Sequence, residues 1–523
     1  MTNKSRTSLG GRNFMFSVLG RIVGMICTFV GRGIFVKTLR AEYLGLGGYF
    51  GNIFSIISLC ELGMGAAISQ SLYKPLADRD CSKLSAIMSF FIKVNNIVAT
   101  VMLILSFIAV PVLPLMTKSS IDVKEIYAAY ILFSLHTAAS YMLSPKKSLV
   151  ICDQKLYIVT VANSIVSVLS LIFQSMVLVC SGNYIAYLTV RIFLLTVRDI
   201  ALNMYADRIY PFLSIKLKPQ KEYYKKIYEN VKALLFHKIG GTFCRSTDSL
   251  LLSAYVGLEG LGKYSNYALV IGTVGAFFDV AINAVTAGVG NLGAVDRGEK
   301  SEKVLRKMYF LNFFLLTVGL CVMVSTINPF VKLWLGEDMV FTTSQMAVIA
   351  SCFYFSCIRD PVQIFLHTYG IFKETRFIPM ARAVVNFVLS VIFVQNMGLT
   401  GVFLGTVIST VTVPLYFEVN ALFKYGFCGR SKEGFLKEMF GYIATSHILS
   451  SFCFVMTRKI PETPKGVAGK ALISLLISFS VLFFMYSKSE YFAYCKGILL
   501  RLAGIDRMRK ETVFKANKNN KKV

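Results

Sequence analysis

The chain has 523 residues, of which 55% are hydrophobic and only 16% are charged, and its net charge is +28. Soluble proteins have about 25% charged residues, so this composition excludes an ordinary soluble domain and indicates a protein with many membrane-spanning segments. The basic residues do not indicate nucleic-acid binding, because they fall mainly in a few connections between apolar segments.

Apolar runs of about 20 residues, each long enough to cross a bilayer as a helix, recur along nearly the whole chain. They predict an all-α polytopic membrane protein with about 14 transmembrane helices. The first run is too long for a signal peptide and contains Arg21 and Arg32, so we expect it to be retained. The predicted spans are 13–36, 44–70, 90–114, 125–144, 156–180, 184–206, 231–256, 264–288, 308–333, 343–368, 377–396, 400–422, 438–457 and 467–487.

Lysine and arginine are divided unevenly between the two sides of the predicted membrane. Seven lie between Arg208 and Lys232 and ten lie from Lys488 to the end, whereas the connections "SGN" and "NMG" on the other side have none. Connections rich in Lys and Arg stay in the cytoplasm. The pattern predicts a plasma-membrane protein with both termini cytoplasmic, and a basic tail that is solvated beside anionic lipid.

The chain contains an internal repeat. A shift of 217 residues places "RIVG" (21–24) on "KIGG" (238–241) and "EYLG" (42–45) on "EGLG" (259–262). Pro145 matches Pro361 at a shift of 216, and "VLSLIF" (168–173) matches "VLSVIF" at 220. Matches in the same order predict two homologous six-helix bundles followed by two extra helices. The predicted parts are a first bundle 1–210, a basic cytoplasmic linker 211–230, a second bundle 231–425, the two extra helices 436–490 and a basic cytoplasmic tail 491–523.

Several cations lie within the predicted spans. Arg21 and Arg32 share one face of the first span, and Lys238 and Arg245 form an equivalent stripe on the seventh. Charged side chains at membrane depth normally face a protein interior or a water-filled cavity. Because cations outnumber acids in the spans, a shared cavity would suit an anionic substrate. The predicted substrate-binding cations are Arg21, Arg32, Lys238, Arg245, Arg191 and Arg382.

Acidic residues lie in the spans as well. Glu61 and Asp279 occupy matching positions at a shift of 218, and Asp248 and Asp360 are further candidates for ion coupling or for a hinge. Proton or sodium sites, counter-charges to the arginines and helix caps all fit Glu61 and Asp279. No Cys or His grouping has the spacing of a metal site, so we expect no metal, no cofactor and no catalytic residue.

Three stretches carry a family resemblance: "EYLGLGGYFGNIFSIISLCELGMGAAISQSLYKPLA" (42–77), "HKIGGTFCRSTDSLLLSAYVGLEGLGKYSNY" (237–267) and "LWLG" (333–336). They resemble the lipid-linked oligosaccharide (Wzx-type) flippases of bacterial surface-polysaccharide pathways, in the multidrug/oligosaccharidyl-lipid/polysaccharide (MOP) exporter superfamily. The resemblance spans essentially the whole chain. Arg245 departs from it, because a small polar residue is common in the family at that position.

The resemblance implies a non-enzymatic transporter of the bacterial inner membrane with two bundles in a V around a central cavity. Its substrate would be a polyprenyl pyrophosphate-linked oligosaccharide, moved from the inner to the outer leaflet by alternating access. The cationic stripes would hold the pyrophosphate, and membrane lipids and glycan-assembly proteins would be its partners. Coupling to H⁺ or Na⁺ stays open.

Other functions share parts of this pattern. A peptidoglycan-precursor flippase and an ion-coupled drug antiporter of the same superfamily have the same architecture, although the cationic bias of the spans disfavours cationic drugs. A membrane glycan polymerase is a remote alternative, because such enzymes generally need a sizeable outer loop and the predicted outer connections are short.

The predicted topology is testable with reporter fusions. Because basic connections remain inside, fusions after Lys218 and after Lys515 should both report a cytoplasmic location. An external signal from either fusion would contradict the assignment.

Overall fold

The computed structural model describes residues 6–61, 64–114, 119–214, 239–243, 246–295 and 298–493. Within these ranges the chain forms helices joined by short turns and contains no strand. This confirms the predicted all-α class. It also follows from the solvent, because a helix pairs its own backbone groups where hydrocarbon offers no hydrogen bonds.

The helices of the first half begin with one long helix and end with another. They are α1 Arg6–Thr38, α2 Ala41–Ile57, α3 Met64–Asp78, α4 Cys81–Ala109, α5 Val123–Cys152, α6 Leu156–Ser181 and α7 Tyr184–Ile209. Helical residues 239–243 and 246–251 then lead into a π-helical turn, Leu252–Val256.

The second half continues with α8 to α17. They are α8 Leu258–Val295, α9 Glu299–Leu335, α10 Thr343–Cys357, α11 Asp360–Thr368, α12 Phe372–Thr375, α13 Ile378–Met397, α14 Leu399–Thr412, α15 Pro414–Ala421, α16 Glu433–Thr457 and α17 Pro464–Tyr486.

Ten segments of the described chain are long and apolar enough to cross a membrane, and each coincides with a predicted span. The predicted span 184–206 lies in helix α7, where Arg191, Arg198 and Asp199 make the sequence less apolar. The span 343–368 is divided between α10 and α11, and the spans 231–256 and 264–288 fall on helical but only partly described residues. The count of 14 therefore stays a prediction.

The described residues group into two compact units that interleave along the chain. The first unit comprises Met1–Ala268, Trp334–Met339 and Arg376–Ser409, and the second comprises Leu269–Leu333, Val340–Thr375 and Thr410–Val523. The division into sequence-related bundles at residues 211–230 stays a prediction.

Within the second unit, the two extra helices α16 and α17 pack on α9 through small hydroxyl side chains. Ser446 of α16 lies 2.7 Å from the Thr317 hydroxyl, and Ser474 of α17 donates a 2.9 Å hydrogen bond to Ser325. Tyr442 stacks on Phe313 with ring centroids 4.3 Å apart. Small polar residues let helix backbones approach closely inside a membrane.

The repeated "EYLG" and "EGLG" motifs contact each other inside the first unit. A Cβ added to Gly45 of α2 would lie 1.9 Å from the Leu258 carbonyl oxygen, and one added to Gly262 of α8 would lie 2.0 Å from the Ala41 carbonyl oxygen. Gly45 and Gly262 are 217 residues apart, as are Ala41 and Leu258. The contact is therefore reciprocal: each motif places its glycine against the first turn of the other helix.

This crossing should not tolerate a side chain at Gly45. Introduced cysteines at Gly48 and Leu261 suit a short thiol cross-linker, since a Cβ on Gly48 would lie 3.8 Å from Leu261 Cγ. In a background without the native cysteines, Gly45→Val should sharply lower the cross-linking yield because α2 and α8 must separate. Gly51→Val is the matched control on the same helix, where a Cβ meets no atom within 4 Å. Equal yields in both variants would contradict the close crossing.

Candidate functional site

A polar cavity of about 600 Å³ opens within the first unit between α1, α2, α6 and α7. Its described lining contains three arginines, Arg32, Arg191 and Arg198, and no acidic side chain. The remaining polar lining consists of hydroxyl and amide groups on Thr28, Tyr43, Asn163, Ser167, Ser170, Gln174, Ser175, Tyr184, Tyr187 and Ser265. The cavity therefore offers positive charge together with many neutral hydrogen-bonding groups.

Arg32 lies on the cavity side of α1 and is largely buried. Its Nη1 donates to Ser265 Oγ at 2.9 Å and to Asn266 Oδ1 at 3.4 Å, both on α8. Among the described residues Arg32 has no ion pair, and its strongest charged neighbour is another cation, Arg191. Two like charges beside one cavity repel each other, so an anion between them would be stabilised.

Arg191 lies on α7 and projects into the cavity with an exposed side chain. It makes no hydrogen bond or ion pair within the described part of the chain. Arg198, two turns later on the same helix, is held in place instead: Nε and Nη2 donate to Asp199 Oδ1 at 3.0 and 2.9 Å, and Nη1 donates to Asn163 Oδ1 at 3.3 Å. Arg191 is the more available of the two for a ligand.

The structure brings together only some of the predicted cations. Arg32 and Arg191 line the same cavity, whereas Arg21 is exposed and is not among its lining residues. Lys238 and Arg245 lie outside the described residues, so their place in a cavity stays a prediction. Arg382 belongs to a separate cluster.

One side of the cavity did not figure in the sequence-based prediction. Asn163, Ser167, Ser170 and Gln174 follow one another at intervals of four, three and four residues and line the cavity from α6. This is the spacing of one helix face. The polar stripe in an otherwise apolar span was the available signal, but uncharged residues are less conspicuous than arginines.

A second polar cluster surrounds Asp248, also within the first unit. Thr406 donates a 2.7 Å hydrogen bond to Asp248 Oδ2 and accepts one of 2.8 Å from Asn386 Nδ2. Asp248 Oδ1, Asn386 Oδ1 and Arg382 Nε are buried without a hydrogen-bond partner among the described residues. Arg382 is close enough to act electrostatically on Asp248. The sequence separated these residues into two lists, and the fold places them together.

The remaining acidic candidates are less informative. Glu61 Oε1 accepts a 3.1 Å hydrogen bond from the Gly65 N–H, which is the geometry of a cap on the first turn of α3. The Asp279 side chain lies outside the described residues, and Asp360 is the first residue of α11. No group of three or more potential metal ligands occurs in the described part of the chain.

The sole tryptophan lies beside the cavity helix α1. Trp334 Nε1 donates a 3.1 Å hydrogen bond to the Phe29 carbonyl, and the Phe29 and Trp334 rings lie 4.8 Å apart. The sequence favoured an anchor at the membrane interface for this residue. Its hydrogen bond fixes it to the helix that carries Arg32.

Comparison with known proteins identifies the fold. The structure is similar to an inward-facing multidrug resistance MATE family transporter of the MOP superfamily, with a TM-score of 0.62 and 13% identity over 76% of this chain and 94% of that one. It is also similar to the lipid II flippase MurJ in an inward closed conformation, with a TM-score of 0.63 and 14% identity over 91% and 98%. The chain has the fold of the MOP-superfamily transporters.

A third similar structure is a MOP-superfamily transporter from Pyrococcus furiosus Vc1, whose reversed binding-pocket polarity suggests a different function for it. The TM-score is 0.56 and the identity 12% over 79% of this chain and 95% of that one. The sequence matches no protein-family model and no curated protein. The superfamily fold inferred from the sequence is confirmed, whereas these comparisons do not distinguish the oligosaccharide flippases within it.

Asp199 should prove essential for stability. It is 3% exposed, carries Arg198 and lies 3.8 Å from Lys147, so Asp199→Ala leaves cations facing a site without their counter-charge. We expect a loss of about 3–5 kcal/mol, as for other broken buried ion pairs, read as a lower unfolding midpoint of the purified protein. Asn163→Ala, which removes only a neutral partner of Arg198, should cost about 1 kcal/mol. Equal losses would contradict this ranking.

Proposed function

We propose that the protein is a flippase that moves a polyprenyl pyrophosphate-linked oligosaccharide from the inner to the outer leaflet of a bacterial plasma membrane. The observation that carries the proposal is the cavity of the first unit, whose described lining has three arginines and no acid. A pyrophosphate bound there would have charge-assisted hydrogen bonds, which are about twice as strong as neutral ones.

The cavity separates naturally into two regions of different chemistry. Arg32 and Arg191 supply positive charge, while the stripe from Asn163 to Gln174 supplies neutral donors and acceptors. Sugars carry many hydroxyls and no charge of their own, so we assign them to the stripe on α6. The polyprenyl tail is apolar and remains in the bilayer. No bond is made or broken, and the cycle is one of alternating access.

A peptidoglycan-precursor flippase is the second candidate, and one observation favours it. The similarity to the lipid II flippase MurJ covers 91% of this chain and 98% of that one. Both candidate substrates combine a lipid, a pyrophosphate and sugars, so the arginines suit either. The cationic lining disfavours a drug antiporter for positively charged compounds.

We further propose that the Asp248 cluster couples transport to H⁺ or Na⁺. Asp248 Oδ1 and Asn386 Oδ1 are buried acceptors without a partner among the described residues, and both suit a proton donor or a small hard cation. Glu61, Asp279 and Asp360 remain alternative coupling residues. Glycan-assembly proteins remain proposed partners, and the membrane lipids would surround the exposed apolar helix faces.

Charge removal in the cavity should abolish transport. Arg32→Ala and Arg191→Ala should each lower glycan export by about tenfold or more, because a hydrogen bond to a charged group contributes about 1.5–3 kcal/mol. Arg→Lys at either position should retain more export, since the charge remains although bidentate geometry is lost. Protein level is measured in parallel, and the exposed Arg458→Ala on α16 is the control. Normal export by the Arg32→Ala, Arg191→Ala double variant at normal abundance would refute the proposal.

The two candidate substrates are distinguished with purified protein in vesicles. Vesicles would contain either a polyprenyl pyrophosphate-linked oligosaccharide or a peptidoglycan precursor, and movement to the opposite leaflet would be followed. Transport of the first and not of the second supports the proposed function. The reverse result assigns the protein to the second candidate.

A further inference from the structure

Prolines occupy matching positions inside the fourth and tenth predicted spans. Pro145 lies within α5, and Pro361 is the second residue of α11, directly after the interruption that separates α10 from α11. Proline has no N–H, so it leaves the carbonyl four residues earlier without its usual helical partner. These carbonyls belong to Tyr141 and Cys357.

A buried asparagine from the preceding membrane helix binds each of these carbonyls. Asn95 Nδ2 of α4 donates to the Tyr141 carbonyl at 3.0 Å, and Asn312 Nδ2 of α9 donates to the Cys357 carbonyl at 2.8 Å. Asn95 and Asn312 are 4% and 1% exposed. They are 217 residues apart, which is the shift of the internal repeat. The two hydrogen bonds lie in different units and yet have the same donor type and the same acceptor position.

Each asparagine gains this bond at a cost. Asn95 Oδ1 and Asn312 Oδ1 are both buried and have no hydrogen-bond partner among the described residues. A leucine of similar volume would avoid that cost if the carbonyl needed no donor. The paired arrangement therefore indicates that satisfying the carbonyl matters more than satisfying the amide oxygen, as expected where no water is available.

A buried acid holds the chain two residues after each proline. Lys147 Nζ lies 3.8 Å from Asp199 Oδ1 of α7, and Gln363 Nε2 donates to Glu418 Oε1 of α15 at 3.3 Å. In the second unit Arg359 adds two further bonds to Glu418, of 3.1 and 2.5 Å. Each proline position is thus held from two sides by different helices, with bonds that cross between helices.

We propose that Pro145 and Pro361 are matched bending points and that Asn95 and Asn312 are positioning residues that latch them. A carbonyl bound by a neighbouring helix can be released and rebound when the helix bends, whereas one bound within its own helix resists bending. The bending role rests on the proposed transport function. The latch itself does not, because it is a statement about which donor satisfies which carbonyl.

A double-mutant cycle on unfolding tests the latch. Asn95→Leu should lower the unfolding midpoint of the purified full-length protein by about 2–5 °C, because the Tyr141 carbonyl loses its donor. Pro145→Ala restores an N–H within α5 that can bind the same carbonyl. In the Pro145→Ala background, Asn95→Leu should therefore cost less than half as much. Asn312→Leu and Pro361→Ala form an independent second cycle.

Crossed pairs are the matched control. Asn95→Leu with Pro361→Ala, and Asn312→Leu with Pro145→Ala, combine residues of different units and should be additive within about 1 °C. Coupling in the matched pairs and additivity in the crossed pairs supports the latch. Additivity in both matched pairs would overturn it, and so would equal coupling in crossed and matched pairs.

A transport measurement tests the bending role separately. In the Asn95→Leu, Pro145→Ala double variant the carbonyl is satisfied within its own helix, so stability should return towards that of the native protein while transport falls at least about threefold. A merely structural role predicts recovery of both. Native transport by this variant would overturn the bending role while leaving the unfolding cycle valid, and absence of transport in the unmodified protein would instead contradict the proposed function.

Discussion

A backbone carbonyl or N–H that faces hydrocarbon without a partner costs several kcal/mol, and the described structure is arranged around avoiding that cost. Long helices satisfy most groups internally. Where the helix in the second predicted span is interrupted after Ile57, the Glu61 carboxylate accepts the N–H of Gly65. Where a proline removes a donor, an asparagine from another helix replaces it. Interruptions are therefore the places where helices become bound to one another by specific polar side chains.

The same constraint governs the charged residues. In the second unit Arg359 and Glu418 satisfy each other, and in the first unit Arg198 is held by Asp199. Arg32 differs from these pairs, because it has only neutral partners among the described residues and lies beside another cation. A charge without a counter-charge is tolerated at membrane depth only where water or a ligand reaches it. This difference, more than the number of cations, separates the cavity from the structural ion pairs.

Periodic features of the sequence predicted most of the fold. Runs of apolar residues gave helices in the expected places, and the shift of 217 anticipated equivalent contacts at Gly45 and Gly262. Pairings between distant residues were not predictable in the same way, because a single sequence carries no information on which helix faces meet. Asp248 and Thr406 are hydrogen-bonded although they are 158 residues apart. Arg21 and Arg32 share a helix face, but a cavity that begins at Cys27 on α1 reaches only one of them.

Trp334 gives this protein an optical property of its own. It is the only tryptophan in the chain, so selective excitation of indole reports a single position. Its N–H is bound to α1 at Phe29, one turn before Arg32. Indole emission depends on the polarity around the ring and on hydrogen bonding of its N–H, so a displacement of α1 would alter the emission spectrum. The native, unlabelled protein therefore contains a spectroscopic probe next to its cationic cavity, and helix movement during a cycle can be followed in real time without introducing a dye.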